Sequence, residues 1–184
     1  MNRQRPDGCW HGENYSQLKD GASCTALVLA SFERVPGALR ERYKEQITKG
    51  FGALLAYQDE TGCVGDVENR GFPNYTTALT LKAFGVLKPD GWKDKSKPLV
   101  QYFRDSQYTE KRKVTETDGH YGAWAMGGRT VVADAMHLDL STVSYVLDGL
   151  SAVGIRESDP MVQKAMLYVY RRQNEARPNK PYGG

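Results

Sequence analysis

This 184-residue chain lacks long apolar runs and has only three cysteines and three histidines. No apolar run approaches the roughly 20 residues that cross a bilayer, and the first residues hold no hydrophobic signal core, so no transmembrane segment is expected. The three cysteines, Cys9, Cys24 and Cys63, match neither a disulfide framework nor a CxxC metal site, and we expect buried thiols. Their odd number favours a reducing, cytoplasmic compartment without fixing one.

The chain also has no large excess of positive or negative charge. The formal net charge is +3, and basic residues are mixed with acidic ones apart from a short run at Lys111, Arg112 and Lys113 that is typical of a solvated loop. Nucleic acid is therefore not an expected partner. Residues 127–130, GGRT, lack the spacing and the lysine of a phosphate-binding loop.

A glutamine followed by a short glycine-containing loop recurs along the chain. The loops are QRPDGCW from Gln4, QDETGCVG from Gln58, and Gln107 followed after a charged insertion by YGAW at 121–124, while Gln173 opens a further loop at 173–184. These glutamines are 54, 49 and 66 residues apart. A period near 50 residues predicts one supersecondary unit that recurs and stacks on its neighbours. We predict a single domain, 1–184, with repeats at about 1–58, 59–107 and 108–174.

The hydrophobic pattern predicts six helices in three pairs, with an inner helix that is apolar nearly all round and an outer helix with one apolar stripe. In the first pair, residues 22–32 leave no polar face, which predicts a helix covered on all sides, and residues 39–58 read as one amphipathic outer helix. In the second pair, an apolar segment at 78–84 precedes a shorter, more polar helix near 99–103, with Pro89 and Pro98 punctuating the connection.

The third pair carries the clearest boundary signals. Asp139 or Ser141 can cap the inner helix, and Gly154 lies where a left-handed C-terminal turn is needed. Asp159 followed by Pro160 predicts the start of the outer helix, because an oxygen acceptor caps the free amides and proline lacks only a donor that the first turn does not use. The predicted fold class is thus all-α, built as three stacked helical hairpins.

Glutamine, a polar spacer, glycine and an aromatic residue together resemble the QW motif of terpenoid cyclases and of the broader prenyltransferase and squalene oxidase repeat proteins. The third unit is the most similar, through DLST at 139–142, SDPMVQKA at 158–165 and RRQN at 171–174. The resemblance covers essentially the whole chain and implies an α/α toroid, in which three hairpins with an inner and an outer layer would be half of a twelve-helix ring. It also implies that the QW-like residues tie neighbouring repeats together, with the glutamine bonding backbone groups and the aromatic ring packing over the turn. These residues are Gln4, Trp10, Gln58, Gln107, Trp124 and Gln173.

The catalytic residues of the enzymes in this group are only partly matched. Class II terpene cyclases carry a DxDD acid cluster at the start of an inner helix, and alignment on that helix places DLST opposite it, so Asp139 would be the acid while two hydroxyls replace other acids. Asp134 is a further candidate carboxylate, and helix capping by Asp139 is the structural alternative. The zinc site of protein prenyltransferases would need a cysteine beside Asp134, His137 and Asp139, and none accompanies them, so we predict no metal and no cofactor.

An isoprenoid or other apolar ligand would need an aromatic-lined surface. Tyr75, Phe84 and Tyr145 on the inner helices are the candidates, against the commoner role of such residues in core packing. His120 and Tyr121 could instead face a sugar or an acid, or hold their own loop through hydrogen bonds.

The resemblance leaves two functions open. We expect a non-catalytic binding or assembly module whose apolar concave surface takes an apolar ligand or a protein partner. The alternative is an isoprenoid cyclase or prenyl-transfer enzyme whose acid is Asp139. Because the chain begins in one QW-like loop and ends in another, we also expect either a homodimer that closes the ring or the remainder of a larger toroid.

Overall fold

The computed structural model describes residues 3–14, 21–65, 72–127 and 138–173. These residues form seven α-helices and contain no β-strand, so the all-α prediction is confirmed. Within the described ranges no helix is long and apolar enough to cross a membrane. The helices are α1 Ala22–Ser31, α2 Gly37–Arg42, α3 Lys44–Ala56, α4 Pro73–Leu87, α5 Trp92–Ser106, α6 Leu140–Ala152 and α7 Pro160–Arg172.

Helix α4 lies at the centre of the molecule. It contacts α1 on one side and α6 on the other, while α5 packs on it from a third direction. Leu81 and Phe84 of α4 are completely buried, and the Phe84 ring stacks on Phe51 of α3 with ring centroids 4.9 Å apart. Ten residues of α4 are buried in all, and burial of the apolar ones among them is the main favourable contribution to folding.

We call α1, α4 and α6 the central helices, and the helix that packs on each of them, α3, α5 or α7, an outer helix. Helix α3 packs on α1, α5 on α4, and α7 on α6. The packing side chain of α5 is Phe103, which is fully buried and meets Trp124 edge to face at 6.0 Å. The opposite side of α5 is charged, as expected for a helix that covers a core on one side only.

The boundaries of α6 and α7 confirm the capping predictions. The Asp139 carboxylate accepts a hydrogen bond of 2.6 Å from the backbone N–H of Thr142, and Asp159 accepts one of 2.9 Å from the N–H of Met161. Pro160 is the first residue of α7. Gly154 has a φ of +88°, which is the left-handed conformation that glycine adopts most easily.

Three predictions about the first two pairs are wrong. Residues 39–58 do not form one helix, because the chain leaves helical geometry at Tyr43 and the short α2 that precedes it buries no residue. Helix α1 is not covered on all sides, since Leu27 is 42% exposed. Helix α5 is not the shorter of the two outer helices, because it has 15 residues and α3 has 13, and Pro98 lies inside α5 and not in the connection before it. Because proline has no backbone N–H, the carbonyl of Asp94, four residues before Pro98, lacks its usual helical donor. Both residues are exposed, so water can replace the missing bond.

Candidate functional site

One stripe of α4 stays accessible although the rest of the helix is buried. From residue 73 to 86 every position is buried except Tyr75, Leu79, Lys82 and Val86. These positions follow one another at helical spacings of four, three and four residues, which places them on a single face. The accessible stripe therefore runs along a side of α4 that no other helix of the described ranges covers.

Contacts from this stripe reach α6 and the turn that follows α1. The Nζ atom of Lys82 lies 2.9 Å from a carboxylate oxygen of Glu33, just after α1, and 2.7 Å from one of Asp148 on α6. Near the other end of α4, the Tyr75 ring meets the Tyr145 ring of α6 edge to face at 5.0 Å. The accessible stripe of α4 is thus bordered by α6 and by the turn that follows α1.

Leu27 is the exposed apolar residue of α1. It lies about 160–200° around the helix from Thr25 and Leu29, which are fully buried, so its side chain points away from the core. Leu27 and Tyr145 are 42% and 40% exposed, so the surface presents apolar and aromatic groups to solvent. We call this surface the inner face and define it by Leu27, Tyr75, Leu79, Lys82, Tyr145 and Asp148.

The inner face has a polar end beside the first turn of α6. The Tyr75 hydroxyl contacts the Ser141 hydroxyl and lies 3.4 Å from Oδ1 of Asp139. Burial alone raises the pKa of Asp139, but hydrogen bonds from Thr142, Ser141 and Tyr75 outweigh it and hold the pKa below its ordinary value. Asp139 is therefore ionised at neutral pH and carries no proton for an alkene.

Two of the predicted glutamines make the same pair of hydrogen bonds. The side-chain amide of each donates to the carbonyl of the glycine in its own loop and to a carbonyl in the first turn of an outer helix. Gln4 bonds Gly8 and Gln46 of α3, each at 2.8 Å, and Gln107 bonds Gly122 at 3.0 Å and Met161 of α7 at 2.9 Å. Gln4 and Gly8 are four residues apart, whereas Gln107 and Gly122 are 15 apart. The contact is thus independent of the length of the loop between its two ends.

Gln58 and Gln173 behave differently. The Nε2 atom of Gln58 is buried and has no hydrogen-bond partner within the described ranges, although the Gln58 backbone pairs with Val64 in an isolated antiparallel bridge. Gln173 is exposed at the end of α7, and the loop that follows it lies outside the described residues.

The loop glycines repeat a second contact with the outer helices. Gly8, Gly62 and Gly122 have φ angles of +84°, +88° and +87°. A Cβ atom at these positions would lie 2.9, 2.2 and 2.0 Å from backbone oxygens of α3, α5 and α7, respectively, all closer than real Cβ atoms come. Only glycine leaves room for this approach. The oxygens belong to Lys49, Pro98 and Lys164.

Two residues after each of these glycines lies a buried side chain, namely Trp10, Val64 and Trp124. The backbone N–H of Trp10 donates to the Thr25 hydroxyl of α1 at 2.8 Å, and that of Val64 donates to the Thr77 hydroxyl of α4 at 2.9 Å. The indole N–H of Trp124 donates to the carbonyl of Phe103 at 2.9 Å. The first two loops are thereby fixed to a central helix as well as to an outer one.

Several predicted ligand residues lie away from the inner face. Phe84 is fully buried in the core. Tyr121 is also buried, and its hydroxyl donates to Glu110 at 2.6 Å in a loop against α7, while the neighbouring His120 is exposed. Asp134 and His137 lie outside the described residues. Of the predicted site residues, the structure brings together Tyr75, Tyr145 and Asp139.

A cleft of about 520 Å³ lies elsewhere, between α3 and the start of α5. Its floor includes Ile47 and Phe51, and its rim is charged. Two of the rim cations are engaged within the chain, since Arg40 donates to the Val35 carbonyl at 2.7 Å and Lys95 donates to the Asp90 carbonyl at 2.8 Å. These internal bonds favour a structural groove over a second ligand site.

The sequence reasoning missed one group of side chains. Asp7, Cys9 and His11 lie in the first loop, and their ligand atoms are all within 4.8 Å of one another. The signal available in the sequence was the alternation of three metal-binding residue types at every second position.

Comparison with known proteins gives no match, either to a protein-family model or to a curated protein. A functional assignment therefore rests on the inner face and on the recurring loop contacts.

Proposed function

We propose that the chain is a non-catalytic binding module of the QW-motif type, whose inner face takes an apolar ligand of the isoprenoid class. In this proposal, three helical hairpins, α1 with α3, α4 with α5, and α6 with α7, form half of an α/α toroid. The central helices line the concave side.

The recurring loop contacts support the repeat architecture. A loop glycine meets the backbone of α3, α5 and α7 in turn, and the glutamine contacts fall three residues earlier in α3 and α7 than the glycine contacts do. A repeated register of this kind is what stacked copies of one supersecondary unit produce.

The observation that carries the binding proposal is the exposed apolar surface of three packed helices. Leu27 and Tyr145 keep about two fifths of their area in solvent, although α1 and α6 both pack against α4. Exposed apolar patches with a polar rim are typical of ligand or partner sites. The hydroxyls of Tyr75 and Ser141 at one end would bind the polar head of an amphipathic isoprenoid such as a polyprenol.

The alternative function is an isoprenoid cyclase with Asp139 as its acid. The network around the carboxylate speaks against it, because protonation of an alkene needs a carboxylic acid that still holds its proton. A carboxylate that caps α6 and accepts three hydrogen bonds is stabilised in its ionised form.

Farnesol binding to the purified chain, measured by equilibrium dialysis, tests the proposal. Tyr145→Ala should weaken binding about tenfold, or about 1.4 kcal/mol, because an aromatic contact surface is lost. Tyr170→Ala is the matched control, since Tyr170 is a 62% exposed tyrosine on the outer helix α7 and should bind as the wild type does.

Asp139→Asn separates the two functions, because asparagine also caps helices and preserves the fold. We expect unchanged farnesol affinity and no cyclic product from the wild type or the variant. Cyclic product that disappears in Asp139→Asn would establish the cyclase instead. Absence of any farnesol binding, or equal losses in Tyr145→Ala and Tyr170→Ala, would refute the inner-face site. Native mass spectrometry of the same samples would reveal a dimer if two copies close the ring.

A further inference from the structure

Three side chains with metal-binding atoms converge in the loop before α1, far along the chain from the polar end of the inner face. Asp7, Cys9 and His11 alternate with Gly8 and Trp10. Oδ2 of Asp7 lies 2.8 Å from Nε2 of His11, and the Cys9 sulfur completes a group whose ligand atoms lie within 4.8 Å of one another. A carboxylate, a thiol and an imidazole are therefore close enough to share one ion.

The loop that carries them is held in place by contacts with two helices. The Gln4 amide binds the carbonyl of Gly8 and that of Gln46 in α3, and the Trp10 N–H binds Thr25 in α1. Within the loop, the N–H of Arg5 donates to the Cys9 carbonyl at 2.8 Å. Because these contacts already order the backbone, little of the binding free energy of an ion is lost to ordering the loop.

The three side chains are also oriented individually. Oδ1 of Asp7 accepts a 2.8 Å hydrogen bond from the N–H of Cys9, which directs Oδ2 towards His11. Gly21, with a φ of +75°, makes the space for the imidazole ring, since a Cβ there would lie 2.7 Å from Cε1 of His11 and 3.2 Å from Cβ of Cys9. A second residue in hydrogen-bond contact with a ligand fixes its direction in well-formed metal sites.

We propose that Asp7, Cys9 and His11 bind a zinc ion. Thiolate, imidazole and carboxylate together are the ligand set that favours Zn²⁺ over Mg²⁺ or Ca²⁺. Zinc bonds of about 2.0–2.3 Å at tetrahedral angles place ligand atoms about 3.3–3.6 Å apart. The distance between Oδ2 of Asp7 and Nε2 of His11 therefore increases by about half an ångström when the ion replaces the proton between them. The Cys9 sulfur, which lies within 4.8 Å of both atoms, moves closer to them.

The exposure of the three ligand side chains indicates where the fourth coordination position of the ion lies. Cys9 is 1% exposed, whereas the side chains of His11 and Asp7 are 14% and 49% exposed. The ion thus lies between the core and solvent with three protein ligands, and water occupies the remaining position. Binding requires the Cys9 thiolate and a neutral imidazole, so it releases a proton and strengthens as the pH rises.

Cobalt titration of the full chain, stripped with a chelator, tests this site. One equivalent of Co²⁺ should produce tetrahedral visible bands and a thiolate-to-cobalt charge-transfer band, and Zn²⁺ should displace it. Cys9→Ser should abolish the charge-transfer band, whereas Cys63→Ser, the matched cysteine control, should keep it. A band that is missing in the wild type, or that survives Cys9→Ser and disappears in Cys63→Ser, would overturn the proposal.

Asp7→Asn gives an independent test that does not depend on the buried thiol. Asparagine keeps the acceptor for the Cys9 N–H and removes the charge of a half-exposed residue, so the fold should persist by circular dichroism. We expect Zn²⁺ affinity, measured against a chromogenic chelator, to fall about tenfold or more. Wild-type affinity in Asp7→Asn would exclude the carboxylate as a ligand and overturn the three-ligand site.

Discussion

Replacement of Gly122 by alanine should destabilise the protein more than the backbone angle alone explains. The left-handed φ of +87° costs a residue with a Cβ about 1–2 kcal/mol. In addition, the new Cβ would lie 2.0 Å from the carbonyl oxygen of Lys164, about 1.4 Å short of ordinary contact. Either α7 or the loop must move, and overpacking of this kind costs about 1–3 kcal/mol. The expected total is about 2–5 kcal/mol in the free energy of unfolding.

Gly154→Ala isolates the contribution of the contact. Gly154 has a φ of +88°, yet no atom lies within 4 Å of the position where its Cβ would be. Both variants bear the strain, and both gain the same stabilisation from a less flexible unfolded chain, so these effects cancel in the difference. Urea unfolding followed by far-UV circular dichroism should show Gly122→Ala about 1–3 kcal/mol less stable than Gly154→Ala. Equal losses would refute the close approach of the loop to α7.

Three further measurements address the electrostatic contacts. Lys82→Met removes the bridge from α4 to two carboxylates and should cost about 1 kcal/mol at low ionic strength, because its partners are half exposed; a cost that does not shrink with added salt in urea unfolding would contradict this origin. Asp159→Asn keeps the cap of α7 but weakens the two-pronged pair with Arg104, whereas Asp159→Ala also loses the cap and should be about 1 kcal/mol less stable again; equal urea midpoints for the two variants would argue against the cap. Hydrogen bonds from Lys164 and Tyr121 lower the pKa of Glu110 from 4.5 to about 2, so this group contributes stability above pH 4.5 that is lost as the pH falls towards 2. The stability difference between wild type and Glu110→Gln should therefore vanish across that window, and a constant difference would exclude the linkage.

Local sequence signals predicted the boundaries of α6 and α7 best. The caps by Asp139 and Asp159, Pro160 in the first turn and the left-handed Gly154 depend only on residues next to them, and all four are confirmed. The break at Tyr43 was not predictable in this way, because the amphipathic spacing continues through it. The hydrophobic pattern indicates which face of a helix is buried, whereas tertiary packing decides where the helix ends.

In the candidate site, too, the sequence predicted some features and tertiary packing decided others. Tyr75 and Phe84 were both expected to line a ligand surface, but nine residues at about 100° each place them on opposite sides of α4. Phe84 accordingly points into the core, and only Tyr75 reaches the inner face. The alternation of Asp7, Cys9 and His11 is visible in the sequence, but the contact between Asp7 and His11 also depends on the space that Gly21 leaves beside the imidazole ring.

The insertion between Gln107 and Gly122 offers a place to attach new sequence. Its ends are clamped, since the N–H of Gly122 donates to the Tyr108 carbonyl at 2.7 Å and the N–H of Tyr108 donates to the Ala123 carbonyl at 3.0 Å. The corresponding segment from Gln4 to Gly8 makes the glutamine-to-glycine bond with far fewer residues. Each doubling of the length of a closed flexible loop costs only about 0.6 kcal/mol. A peptide tag or a small domain grafted at the exposed residues 116–119 should therefore cost little beyond the hydrogen bonds that the Glu116 and Gly119 carbonyls accept from Arg171 and Arg172 at the end of α7.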